Sequence, residues 1–327
     1  MRRREFITLV GSAAAAWPLV ARAQQAPVRP IIGVLSPISI AAAARNTEAL
    51  RTGLRDLGYS EGRNITLEQR YADGAIERLP DLAAELVALK PAVIVAGSPA
   101  AALAVRNATR SIPVVMNSSP DPVRLGLASS IARPGGNVTG FWWGDETLVG
   151  KRLGLLKEAV PGTIRAALMV HADDPASADE LKQVPIVSNA LDVTLRVLEV
   201  REPSEFEAAF AIAVREKMQG LCVSTSPLFV SHRTELAALA ARARLPAVYA
   251  FRDFAAAGGL MSYGASLSDL YRRKAAFIDK ILKGASPADL PIERPITFEL
   301  LINLKTARAL GLNIPPALLA RVDEVIE

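Results

Sequence analysis

The chain has 327 residues, a net charge of +5 from 38 Lys and Arg against 33 Asp and Glu, and 50% apolar residues. Residues 1–23 hold Arg2, Arg3, Arg4, Arg22 and Glu5, so the remainder carries 34 minus 32, or +2, which removes the main electrostatic support for a nucleic-acid partner. Cys222 is the single cysteine, so no disulfide can form within the chain, and a core for roughly 300 residues divides by default between two domains.

The N-terminal stretch opens with Arg2-Arg3-Arg4-Glu5-Phe6-Ile7, runs apolar to Leu19 and reaches Ala21-Arg22-Ala23. A charged segment, an apolar segment and an A-x-A site in that order form the pattern of a secretory signal peptide, cleaved after Ala23. The adjacent arginines suit the twin-arginine export route. The competing reading, a membrane-spanning helix, has too short an apolar run for roughly 30 Å of hydrocarbon and breaks at Pro18. The expected location is therefore the periplasm. No cysteine stands at the cleavage site to carry a lipid anchor.

From residue 31 the chain alternates short β-branched runs with amphipathic stretches. Residues 31–35 read as a buried parallel strand, and a helix carrying Leu50, Leu54 and Leu57 follows and stops at Gly58. Strand 65–71, helix 77–89, strand 92–96, helix 99–108 and strand 114–116 continue the pattern. A helix over 123–132 and a short run at 138–140 close the first series. After a helix at 145–159, strands at 165–170, 194–200, 220–224 and 247–250 alternate with helices near 176–190, 204–217 and 229–243. Two such βαβ series predict an α/β protein of two Rossmann-like lobes, each with a parallel sheet covered on both faces.

The segments 140–144 and 258–264 read as crossings between lobes, with a helix at 266–283 returning to the first. The third crossing is placed at 296–303, before helices at 304–310 and 315–325. The resulting division is 28–140 with 265–295 as lobe 1, 145–260 as lobe 2, and 296–327 as a C-terminal crossing strand and helices. Such a hinge implies a ligand cleft at the C-terminal ends of both sheets.

Particular segments resemble a known family. They are Gly53-Leu54 with Leu57-Gly58-Tyr59 and Glu61-Gly62-Arg63-Asn64, then Val93 to Ala100, Asp121 to Leu127, Arg133 to Gly140, Ala256 to Gly264, and Ile302 to Ala307. In this order they resemble the periplasmic substrate-binding proteins of ABC transporters, in the group that includes tryptophan- and tyrosine-type binding proteins. The resemblance implies the type I periplasmic binding fold, a small-molecule ligand such as an amino acid or a small carboxylate or aromatic compound, and delivery to an ABC permease in the inner membrane. No cofactor is expected, no metal, and a monomer.

In such a clamp, polar contacts come from loops after strands and from helix N-termini. Ser36, Ser98, Asn117 and Ser118 are the candidates in the first lobe, although Ser98 before Pro99 also has the form of a plain N-cap. Asp121 before Pro122 reads more readily as a cap. In the second lobe, Asp173 or Asp174 would attract an amine, and Ser177 and Ser226 lie in the corresponding turns. The resembling family commonly has asparagine-rich turns where this chain has His171 and two aspartates. Phe251 and Tyr263 are aromatic candidates, with Trp142 and Trp143 at the first crossing.

Catalytic constellations are scarce. Two histidines, His171 and His232, leave little for a triad or a His-rich metal site, and no GxSxG, GxxxxGK[ST] or HExxH motif occurs. The chain therefore reads as a binding protein and not an enzyme. An extracytoplasmic hydrolase and a clamp coupled to a signalling receptor are the alternatives. A DNA-reading regulator has no helix-turn-helix module where the signal peptide stands.

Overall fold

The computed structural model describes residues 29–144 and 148–327. The signal peptide expected over 1–23 lies outside the described residues. Lobe 1 begins with β1 (Ile31–Ser36), α1 (Ile40–Asp56), β2 (Thr66–Tyr71), α2 (Leu79–Ala88), β3 (Val93–Ala96), α3 (Pro99–Ala108), β4 (Val114–Ser118) and β5 (Val138–Trp142). The strands form a wholly parallel sheet in the order β2-β1-β3-β4-β5. Its central strands are apolar on both faces because both are covered, and every residue of β3 is fully buried. Val95 and Val115 face Leu50 and Leu54 of α1, whereas Ile94 and Met116 face Leu86 of α2 and Val105 of α3.

Lobe 2 contains α4 (Leu148–Ala159), β6 (Arg165–His171), α5 (Ser177–Leu191), β7 (Thr194–Val200), α6 (Phe206–Arg215), β8 (Gly220–Val223), α7 (Pro227–Ser231), α8 (Arg233–Arg242), β9 (Ala247–Tyr249), α9 (Arg252–Ala256) and β10 (Met261–Ala265). The chain then returns to lobe 1 as α10 (Leu267–Leu282), whose Phe277 and Ile278 join Leu50 and Leu54 in one core. Tyr59 OH donates to Asp279 Oδ1 at 2.9 Å, fixing α10 against the loop after α1. The last elements are β11 (Phe298–Asn303), α11 (Leu304–Ala309), α12 (Pro316–Leu319) and β12 (Glu324–Ile326).

Several expectations need correction. The second sheet has the order β12-β11-β10-β9-β8-β6-β7 and is not wholly parallel, because β10 and β11 pair antiparallel. Residues 261–265 and 298–303 are thus strands of this sheet, and the crossings fall just after β10 and just before β11. The segment 296–327 is not set apart: β11 pairs with β10, and β12 pairs with β11 through Leu301 and Glu324. The helix expected over 315–325 shrinks to α12 because the last residues are drawn into that sheet edge.

The helix expected over 123–132 is a series of turns. Gly126 sits at φ +67°, where a right-handed helix cannot continue, and Leu127 N–H turns back to Pro122 O at 2.8 Å. The helix expected over 229–243 is two helices that start earlier, capped by Ser226 and broken at His232.

The first and third crossings run side by side. Trp142 N–H donates to Glu293 O and Glu293 N–H to Gly140 O, both at 2.9 Å. Arg294 reinforces the junction: its Nη1 donates to Trp143 O at 3.1 Å and its guanidinium lies 3.9 Å from the Trp142 ring centre.

Candidate functional site

The lobes enclose two adjoining cavities that share Ser119, Trp143, Ala176 and Thr225 in their walls. The smaller, about 60 Å³, lies between the helix starts of the two lobes and is lined from lobe 1 by Ile38, Asn46, Ser98 and Tyr271 and from lobe 2 by Asp174, Ser226, Val230 and Phe251. The larger, about 190 Å³, lies between the turns after β4 and the helices α4 and α5, and is lined by Trp142, Arg152, Glu180 and Gln183 among others. At its rim Arg124 Nη2 donates to both oxygens of Asp179 at 2.6 and 2.7 Å, joining lobe 1 to lobe 2 and holding the Asp179 carboxyl below its usual range.

On the lobe 1 side, Ser98 Oγ accepts from Ala101 N–H at 3.1 Å, so it caps α3 while its own hydroxyl proton is left to donate. Gly97 keeps this wall thin. A Cβ there would come within 2.8 Å of both Tyr271 OH and Pro37 Cδ. Behind Tyr271, fully buried Lys274 donates to Ala96 O at 3.3 Å, with its Nζ 4.2 Å from the Tyr271 ring centre. Burial holds this lysine well below its ordinary range.

On the lobe 2 side, Ser226 is more fully committed. It accepts from Leu228 N–H at 3.3 Å and lies 3.0 Å from His171 Nδ1. Burial lowers the His171 pKa, which favours the neutral ring. Asp174 is 5% exposed and accepts from Ala176 N–H at 2.9 Å. Burial, with a smaller contribution from nearby Glu180, pushes its carboxyl up to about 7.

Of the residues singled out in the sequence, Ser98, Ser226 and Phe251 line the smaller cavity. Asp174 lines it too, Trp143 borders both cavities, and Asp121 and Trp142 border the larger. Ser36, Asn117, Ser118, Asp173, Ser177 and Tyr263 border neither, and for the first three the cause is shared: the strands run further than their β-branched cores. β1 includes Ser36, whose Oγ donates to Ile38 O at 3.3 Å. β4 includes Asn117 and Ser118. Strand alternation sends Asn117 to the face of Val115, where neither amide atom finds a partner, and Ser118 donates to Pro120 O at 2.6 Å. The first residue past the strand, Ser119, is the one that reaches the cleft.

In lobe 2, Ser177 donates to His171 O at 2.6 Å, and Asp173 is an exposed partner of Arg201 at 3.8 Å. Asp174, weighed beside Asp173, is the aspartate that faces the cleft. Tyr263 lies within β10, stacked on Phe298 at 6.2 Å between ring centres, and borders a separate groove on the outer side of lobe 2. Asn46, Arg152, Glu180 and Thr225 are not legible in the sequence, because each lies within a helix or turn whose facing depends on how the two lobes meet.

The family model described as ABC transporter substrate binding protein matches residues 31–326. The chain belongs to this family. It is thus a substrate-binding protein of an ABC transporter, built on the type I periplasmic binding fold. A curated relative, the tyrosine-binding protein of Clostridioides difficile (strain R20291), is 26% identical over 260 residues, 80% of this chain and 74% of that protein. Among solved structures, the ABC domain in complex with L-Trp from Streptococcus pneumonia superposes with a TM-score of 0.84 at 23% identity, covering 91% of this chain and all of that one (100%). The ligand-free, open structure of a substrate binding protein with adhesive properties from Clostridium difficile gives 0.65 at 22% identity, covering 91% of this chain and 99% of that one.

In this substrate-binding protein no group of three or more His, Cys, Asp or Glu side chains among the described residues could hold a metal ion. No helix among them is long and apolar enough to cross a membrane. Cys222 is fully buried, and burial raises its thiol to about 12, so it offers no reactive thiolate to the cleft.

Proposed function

We propose that this chain is the extracytoplasmic binding component of an ABC importer, and that it captures an amino acid with an aromatic or large apolar side chain by closing its lobes. The observation that carries this reading is the smaller cavity, where aromatic and aliphatic walls (Phe251, Tyr271, Ile38, Val230) meet a small set of polar groups, Ser98, Asp174 and Ser226, drawn from both lobes. A ligand held by both lobes stabilises the closed form by its differential affinity for it. The Arg124–Asp179 pair, which joins one lobe to the other, supports closure as the binding motion. A tyrosine-binding relative and an L-Trp complex of the same fold support the ligand class. The closed form is then the one presented to an inner-membrane permease.

The test is thermal melting of the purified chain with a panel of amino acids, aromatic acids and small amides. L-tryptophan or L-tyrosine at about 100 times its Kd adds about 2.7 kcal/mol of apparent stability. Ser98→Trp and Ser226→Trp, which fill the smaller cavity, are expected to abolish that gain. Absence of any shift with the amino acids overturns the ligand class. An undiminished shift in both tryptophan variants overturns the cleft assignment.

A further inference from the structure

The larger cavity is bordered by two ionisable side chains, Arg152 and Glu180, each with an unfilled hydrogen-bonding atom; burial raises the Glu180 carboxyl above its usual range and the Arg152 guanidinium opposes that. Arg152 on α4 is 1% exposed. Its Nε donates to Tyr263 O at 2.9 Å, but its Nη1 has no hydrogen-bond partner. Glu180 on α5 faces it. Glu180 Oε1 accepts from Thr225 N–H at 3.3 Å and from Thr225 Oγ1–H at 3.1 Å, whereas Oε2 accepts nothing. Arg152 Nη1 and Glu180 Oε1 are 3.9 Å apart, beyond hydrogen-bond range. The two side chains thus form an ion pair without a hydrogen bond, and burial leaves Nη1 and Oε2 unfilled beside the cavity, where a group that supplies both an acceptor and a donor would satisfy them.

The required complement is an anion or acceptor for the guanidinium and a cation or donor for the carboxylate, a short distance apart. The head group of an α-amino acid has that form, since its carboxylate and ammonium are joined through one carbon. The adjoining smaller cavity is lined mainly by apolar and aromatic side chains and is reached past Trp143, which borders both. Resting on the reading of this cleft as an amino-acid site, we infer that Arg152 and Glu180 hold the ligand's main-chain carboxylate and ammonium, and that its side chain extends past Trp143 toward Phe251 and Tyr271. This inverts the arrangement expected from the sequence, in which serines at helix starts take the polar end. Ser226 cannot readily serve there, because its hydroxyl already joins Leu228 and His171.

The experiment titrates the wild-type chain, Glu180→Gln and Arg152→Lys with four probes by calorimetry: L-tryptophan, L-tyrosine, tryptamine (no carboxylate) and indole-3-propionate (no ammonium). Glu180→Gln is expected to weaken L-tryptophan by about tenfold or more while leaving indole-3-propionate within about twofold of its wild-type affinity. Arg152→Lys, which keeps the charge but loses the planar fork, weakens L-tryptophan and spares tryptamine. If Arg152→Lys fails to fold by its melting curve, the probe ratios for Glu180→Gln decide alone. Wild-type preference among the probes retained in Glu180→Gln overturns the head-group assignment and leaves the amino-acid reading standing. A wild-type chain that binds neither amino acid ends that reading, and the head-group assignment falls with it.

Discussion

The two lobes share a βαβ architecture but meet the cleft with different chemistry. In the smaller cavity lobe 1 presents neutral groups such as Ser98, Asn46 and Tyr271, and keeps its buried charge, Lys274, one layer back behind the tyrosine ring. Lobe 2 places its charges in the walls themselves: Asp174 in the smaller cavity, Arg152 and Glu180 in the larger. In the smaller cavity the charge thus comes from lobe 2, whereas at the larger one both lobes contribute, Asp121 and Arg124 from lobe 1 and Arg152 and Glu180 from lobe 2. The reason is local. In lobe 1 the serines at the strand ends bond to neighbouring backbone, whereas in lobe 2 the turn after β6 and the first turn of α5 carry acids.

This contrast predicts opposite pH responses for the two halves. Asp174 has a folded-state pKa of about 7, above its ordinary 3.8. Between those values the native state binds more protons than the unfolded one, so stability falls as pH rises from about 4 to 7 and is level above that range. Asp174→Asn is expected to remove this slope, worth roughly 2–4 kcal/mol, in melting temperatures of the ligand-free protein measured across that range. An unchanged slope in the variant would break the contrast at its strongest point.

Lys274 has the opposite sign. Burial depresses its folded pKa, so between that depressed value and 10.5 the unfolded chain binds more protons and stability rises with pH. Lys274→Met, which replaces a buried amine with an apolar chain of similar volume, should raise the melting temperature at pH 7 by about 1–2 kcal/mol of stability and flatten the alkaline rise. Denaturant titration at two pH values distinguishes this from a loss, which would assign the lysine a structural partner that outweighs its burial.

The smallest effect belongs to the seam between the lobes. Arg124 has a half-exposed side chain, so its pair with Asp179 contributes roughly 0.2–1 kcal/mol to closure. Arg124→Ala should weaken ligand binding by no more than about fivefold, through faster release, and the difference should shrink at high salt. A loss that is large and salt-independent would instead place Arg124 on the ligand.

Much of the architecture was legible in the residues. The β-branched runs, the N-cap Ser-Pro turns at Ser98 and Ser226 and the helix stops at glycines located most elements. The misreadings have specific causes. The run at 123–132 has apolar spacing compatible with a helix, but Gly126 between Pro122 and Pro134 turns it. The C-terminal strands were misplaced because antiparallel pairing of β10 with β11 depends on residues more than thirty positions apart. At the site, strand ends set by β-branched residues alone fell short, so Asn117 and Ser118 were placed in a loop when pairing with Phe141 and Trp142 holds them in the sheet.

The sequence by itself determined the family, the two-lobed α/β plan and the two serine-capped helix starts that face one another across the cleft. These depend on periodicity and capping, which are local properties of the chain. Only the tertiary structure decided which polar groups are spent and which remain open. Ser36, Ser118 and Ser177 bond to nearby carbonyls, whereas Arg152 and Glu180, on two separate helices, meet beside one cavity with a donor and an acceptor unfilled. Hydrogen-bond satisfaction belongs to the packed arrangement, since a side chain's partners are fixed only when distant elements are brought together.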